Sequence, residues 1–198
     1  MTKITKVVGR QVFDSRGNPT VEAEIYLNNG IKALAIVPSG ASTGAYEAYE
    51  LRDKNKNYFL GKSVLKAVKN INTVISKSLK NINVEDQKKI DQILLNLDGT
   101  GNKKKLGANA LLAVSLAASK AAASANKKEL YQHLGKKFLL PKPLMNIING
   151  GAHADNNLRV QEFMIRPDSA KNFMDAIEKC FLVIQNLKKI LQLKKLST

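Results

Sequence analysis

Val21, Ala23, Ile25 and Leu27 alternate with Glu22, Glu24 and Tyr26, the period-two pattern of a strand with one buried face. Asn28-Asn29-Gly30 follows, and because Asn and Gly tolerate positive φ it predicts a hairpin turn. Ile31 to Val37 then reads as the returning strand. An earlier strand, about Ile4 to Phe13, completes a three-stranded antiparallel sheet, with a turn at Asp14-Ser15-Arg16-Gly17-Asn18-Pro19-Thr20. The period then changes. Val64, Leu65, Val68, Ile71, Ile75 and Leu79 recur at helical spacing between Ser63 and Leu79. Asn83, with Asp86 three residues on, predicts the cap of a helix over Glu85 to Leu97. Asn109 to Ala125 is Ala-rich with few charges, as expected of a helix buried on most sides, and a short helix is predicted around Glu129 to Leu134.

Leu140-Pro141-Lys142-Pro143 marks a boundary, because two prolines disfavour both helix and central strand. Beyond it the pattern predicts an apolar strand at Leu144 to Ile148, a glycine turn and polar loop, and a short strand at Val160 to Ile165. A long helix follows through Ala176, Ile177, Phe181, Ile184, Leu187 and Leu191, capped at Asp168 or Ser169. The expected organisation is an α+β domain over residues 1–138, with helices segregated from a three-stranded antiparallel sheet, and a second unit over residues 139–198.

Composition narrows the function classes. The 198 residues are 44% hydrophobic, enough for a sizeable core, and no run of 18 or more apolar residues suggests a membrane span. The N-terminus lacks the apolar stretch of a secretory signal. Cys180 is the one cysteine, which excludes an intrachain disulfide and a cysteine metal cluster and fits a reducing cytoplasm. The net charge is +16, from 32 basic and 16 acidic residues. Its lysines are scattered and aromatics are few, so no stacking platform for nucleic acid is expected. Weak, salt-sensitive attraction to polyanions is expected from charge alone.

Two segments carry candidate chemistry. Val37-Pro38-Ser39-Gly40-Ala41-Ser42-Thr43-Gly44-Ala45-Tyr46-Glu47 concentrates small residues, which suits a surface turn or a mobile loop that lets backbone approach a ligand. Asn146-Ile147-Ile148-Asn149-Gly150-Gly151-Ala152-His153-Ala154-Asp155-Asn156-Asn157, then Gln161-Glu162-Phe163, places a histidine after a glycine pair and a carboxylate at a strand end. A lone histidine such as His153 is more often structural than functional, and its spacing suggests no metal triad; an imidazole can also bind an anion or relay a proton near neutral pH. Glu162, from the sequence alone, reads first as a salt-bridged carboxylate. Neighbouring strand residues face opposite sides, so only one of Gln161 and Glu162 is expected to point into a site unless the strand bends. His133 reads as structural.

Both segments closely resemble the enolase family, in order and along essentially the whole chain. The resemblance implies the fold of the start of an enolase-type α/β barrel after the α+β domain, and the reversible dehydration of 2-phosphoglycerate to phosphoenolpyruvate in glycolysis. It implies a mobile loop at Ser39, Gly40, Ala41, Ser42, Thr43 and Gly44, with Ser42 a ligand of a second Mg²⁺. It also implies His153 and Glu162 as catalytic and, with Gln161, substrate-binding residues, and a homodimer or higher assembly; the scattered charge and few aromatics, for their part, imply no specific nucleic acid. The family's remaining catalytic groups, a carboxylate triad for the first Mg²⁺, a lysine base and a glycine-rich acidic motif, have no match before Thr198. The chain is therefore expected to be truncated and inactive alone. Two further expectations stand beside it: a fragment that binds polyanions or a partner chain, and one half of a split enzyme.

Overall fold

The computed structural model describes residues 1–40 and 44–196. Compactness divides the chain into two units, Met1–Lys136 and Lys137–Thr198. In the first, β1 (Ile4–Phe13), β2 (Pro19–Leu27) and β3 (Lys32–Val37) form one antiparallel sheet in the order β1-β2-β3. Register runs from Val7↔Ile25 to Phe13↔Pro19 on one side of β2, and from Val21↔Val37 to Tyr26↔Lys32 on the other. Val21, Ala23, Ile25 and Leu27 all point inward and are buried, as their alternation predicts. On the opposite face Arg10 bridges Glu22 at 2.9 Å and Glu24 at 2.7 Å, and the Tyr26 hydroxyl donates to Glu24 at 2.8 Å.

Helix α1 (Leu65–Asn70) runs through a π-turn at Ile71–Ile75 into α2 (Ser76–Leu79) without leaving helical dihedral angles. The π-turn faces the free edge of β1. Asn72 accepts from the Gly9 N–H at 2.8 Å and donates to the Gly9 carbonyl at 3.0 Å, while the Ser76 hydroxyl accepts from the Val7 N–H at 3.3 Å. An edge strand left open would present unpaired backbone groups to other chains, and here a side-chain amide occupies part of that edge. The approach is close: a Cβ on Gly9 would lie 2.9 Å from Ile71 Cβ.

Helices α3 (Gln87–Asp98), α4 (Ala108–Ala125) and α5 (Leu130–Leu134) complete the unit. The cap of α3 is Asp86, whose side chain accepts from the Lys89 N–H, so the helix starts at Gln87 rather than Glu85. Asn83 instead accepts from the Glu85 N–H at 3.2 Å and forms a bridge to Lys3. Among the described residues, α4 is the one helix long and apolar enough to cross a membrane. Its residues Ala110, Ala113, Val114, Ala117, Ala118 and Ala121 are wholly buried against the sheet and α1, so it is the core helix of this unit.

Asp98 closes the turn between α3 and α4. It is buried and accepts from the Leu106 N–H at 2.6 Å, the Thr100 N–H at 3.0 Å and the Thr100 hydroxyl. Burial is the largest single influence and opposes its ionisation. The bonds from Thr100, Leu106 and Lys105 together outweigh it and hold the carboxyl below its usual range.

In the second unit β4 (Met145–Asn149) pairs antiparallel with β5 (Glu162–Ile165), and α6 (Phe173–Leu193) follows. Asn172 caps α6 by accepting from the Asp175 N–H at 2.9 Å, whereas Asp168 is drawn into a 2.7 Å ion pair with Arg166. Neither Asp168 nor Ser169 is the cap. The helix does not run on with its apolar spacing: Lys195 adopts a left-handed φ of 54°, and the Leu196 N–H donates to the Leu191 carbonyl at 2.9 Å, a Schellman-type end. Among the described residues of this unit only Gly150, Ala176 and Cys180 are fully buried. Two strands and one helix are far short of a parallel barrel, which takes about 250 residues.

Two tests follow from this packing. Gly9→Ala is expected to cost about 1–3 kcal/mol by overpacking against Ile71, and Ile71→Ala about 2–5 kcal/mol by leaving a cavity. The double variant should cost less than the two together in urea unfolding, because losing Ile71 Cγ2 and Cδ1, at 3.0 and 3.2 Å, relieves part of the overpacking. Asp98→Asn should cost about 1.5–3 kcal/mol. Because the folded carboxyl is more acidic than the unfolded one, its contribution is present above the unfolded value of about 3.9 and lost as pH falls through the lower folded one. The difference in stability between the unsubstituted protein and the Asp98→Asn variant should therefore shrink below about pH 4.

Candidate functional site

The chemistry-bearing residues fall on two segments, one in each unit. In the first, the end of β3 feeds the Ser39–Gly44 loop. Ala41, Ser42 and Thr43 lie outside the described residues. The root of the loop is held by a polar network. The Thr20 hydroxyl donates to the Val37 carbonyl, and Arg16 donates to the Ser39 carbonyl. The Ser39 hydroxyl donates to Glu50. Arg52 then gathers four acceptors: Ser39 Oγ at 2.7 Å, Glu50 Oε1 at 2.8 Å, the Pro19 carbonyl at 3.1 Å and the Lys62 carbonyl. One planar guanidinium thus ties the loop root to the start of β2 and to the segment leading into α1.

Glu50 and Arg52 are residues that the pattern reading passes over. Their one signal is an acid and a base two apart directly after a small-residue loop, in Glu50-Leu51-Arg52. Beside the loop flanks a cleft of about 870 Å³ opens against α3 and α4, lined by Ser39, Gly40, Gly44, Glu47, Asp91 and Leu112. Its charged rim and apolar floor can accommodate a mixed-polarity chain segment or small molecule.

The second segment is built by a fold-back. Gly150 and Gly151 leave β4, with the Gly150 N–H donating to the Gln161 carbonyl at 2.9 Å and the Gly151 N–H to the Leu158 carbonyl at 2.8 Å. A Cβ on Gly150 would lie 2.4 Å from the Val160 carbonyl oxygen, and Gly151 has φ +55°, so neither position admits a larger residue without distortion. Asn156 holds the returning strand by donating to the Asn149 carbonyl at 3.0 Å and accepting from the Leu158 N–H at 3.0 Å.

This loop brings His153, Gln161 and Glu162 together. His153 Nδ1 lies 2.9 Å from Glu162 Oε1, with both side chains roughly three-quarters buried. Gln161 Nε2 is in hydrogen-bond contact with His153 Nε2. Strict alternation does not separate Gln161 from Glu162, because β5 begins only at Glu162 and Gln161 still belongs to the loop. Both side chains therefore reach the same ring. The arrangement can bind an anion through the ring and move a proton along the Glu162–His153 contact. Among the described residues no group of three His, Cys, Asp or Glu converges to hold a metal ion.

With this geometry in place, comparison with known proteins adds the lineage. The enolase N-terminal domain family matches residues 4–134, and the enolase C-terminal TIM barrel domain matches residues 137–198. The chain belongs to the enolase family. An enolase of Pelagibacter ubique (strain HTCC1062) is 60% identical over 200 aligned residues, which cover 100% of this chain and 48% of that relative. The chain thus spans about half the length of the curated relative it matches. The α+β unit and the strand–loop–strand carrying His153 accordingly correspond to the N-terminal domain of an enolase and part of its barrel domain.

The clamp at the loop root is testable in this chain. Arg52→Lys keeps the charge but loses the planar fork, and should destabilise the first unit by about 1–3 kcal/mol. Hydrogen exchange at Ser39 and Gly40 should quicken more than at Ile25. An equal change at all three would show that Arg52 supports the unit in general rather than the loop root.

Proposed function

We propose that the complete protein of which this chain forms a part acts as a phosphopyruvate hydratase, interconverting 2-phosphoglycerate and phosphoenolpyruvate in cytoplasmic glycolysis. The observation that carries this reading is 60% identity to an enolase along all of this chain, His153 segment included. The reaction removes a weakly acidic proton beside a carboxylate and then expels hydroxide. It therefore needs a base, an acid and strong stabilisation of a dianionic intermediate.

In this reading His153 receives the anionic end of the substrate, Glu162 fixes the ring and belongs to the acid network, and Gln161 contacts the substrate through its amide. Ser42, in the Ser39–Gly44 segment of the sequence, is assigned as a ligand to Mg²⁺. The ion would supply charge stabilisation at the substrate's oxygens when bound. The described residues do not by themselves make a Mg²⁺ site, since no three ligating side chains converge among them and Ser42 lies outside them. The roles assigned to this chain are accordingly limited to holding the anion and handling protons. A homodimer or larger assembly is proposed from the same likeness.

The 198-residue chain, supplied with Mg²⁺ and 2-phosphoglycerate, is expected to give no rise in phosphoenolpyruvate absorbance. A longer protein that continues to the length of the relative should give one, and Glu162→Gln within it should slow turnover by about 10²–10⁴-fold. A longer protein that binds Mg²⁺ yet shows no turnover of 2-phosphoglycerate would defeat the reading.

A further inference from the structure

His153 uses both ring nitrogens. The Glu162 carboxylate can only accept, so Nδ1 carries a proton. The Gln161 amide faces Nε2, and its NH₂ end pairs with a neutral ring, whose Nε2 presents a lone pair. A neutral ring meets both contacts as the Nδ1–H tautomer. A protonated ring cannot keep them both, because its Nε2 is then a donor. The Gln161 amide has one donor end and one acceptor end of nearly equal size, and it is exposed, with room to turn. Turning it offers Oε1 to Nε2–H and restores the bond.

We propose that Gln161 couples protonation of His153 to the site's preference for anions. With the ring neutral, the outward end of the amide is its carbonyl oxygen, which repels an anion. With the ring charged, the outward end is its NH₂, which donates to one. Protonation thus adds a cation and a donor in one step, and Gln161 is a positioning and specificity residue rather than a passive neighbour. The inference rests on the proposed reading that this site receives an anionic substrate, and it names how that anion is admitted.

The surroundings leave Glu162 as the ring's charged partner. It comes from β5, while β4 (Met145–Asn149) carries no titratable side chain. Asp155 and Arg159, on the loop joining the two strands, form no ion pair among the described residues.

The chain has two histidines, so ¹⁵N NMR of the 198-residue protein separates His153 from His133, which serves as an internal control. At alkaline pH His153 should be the Nδ1–H tautomer, while His133 shows the ordinary mixture dominated by Nε2–H. On acidification the side-chain NH₂ signals of Gln161 should move in step with the His153 ring. Sulfate, dianionic throughout, should perturb His153 and Gln161 saturably at the acidic end and not at the alkaline end. Gln161→Leu should weaken that sulfate response several-fold while His133 is unaffected.

A neutral Nε2–H ring at His153, Gln161 signals indifferent to its titration, or undiminished sulfate binding in Gln161→Leu would each overturn the coupling. A longer enolase that turns over 2-phosphoglycerate while Gln161 stays indifferent would sink the coupling and leave the proposed activity standing. Coupled signals in a longer protein without turnover would do the reverse.

Discussion

The structure of the first unit depends on how closely a helix can approach the edge of a sheet. Asn72 reaches the Gly9 backbone with both ends of its amide and completes part of the ladder that β1 would otherwise leave open. That reach requires a glycine at position 9, since any Cβ would meet Ile71. It also coincides with the π-turn, where an extra residue per turn re-aims the side chains of Ile71–Ile75 toward the strand. Once this contact is fixed, Ile71 and Ile75 enter the core beside Val7 and Ile25, and α4 closes the opposite side with alanines small enough to lie near the strands.

Where the sequence is legible, it is because one periodicity dominates. The three strands alternate cleanly, and Asn28-Asn29-Gly30 leaves the chain little choice but to turn. The long apolar rows of α4 and α6 are equally plain. Less legible are points where two chemistries compete for one end. Asn83 and Asp86 can both cap a helix, and the contest is settled by tertiary structure: Asn83 is held at the bridge to Lys3, which leaves Asp86 to cap α3. Asp168 is likewise lost to Arg166, and Asn172 takes the cap of α6. Lys195 in a left-handed conformation ends α6 with no glycine to announce it, because the Schellman bond to Leu191 compensates the strained backbone.

The candidate site divides in the same way. A histidine after two glycines, with a carboxylate ahead of an apolar strand, can be read from the chain, but that Gln161 and Glu162 would share one imidazole cannot. Alternation predicts the opposite, and the answer turns on whether β5 begins one residue earlier or later. The network at the root of the Ser39–Gly44 loop is less legible still. No periodicity draws notice to Arg52; its importance lies in the four acceptors that three distant segments bring within reach of one guanidinium.

The glycine fold-back has a kinetic consequence. His153 meets Glu162 only nine positions along the chain, and the backbone bonds that set their approach, Gly150 to Gln161 and Gly151 to Leu158, span a similar distance. Closing a loop of about ten residues takes on the order of 10–100 ns, far less than the long-range pairings that complete a barrel. The imidazole–carboxylate contact can therefore form as a local event during synthesis, before distant strands arrive. A piece of chemistry encoded so locally is also portable: the strand–loop–strand carries its own geometry wherever a supporting surface is supplied.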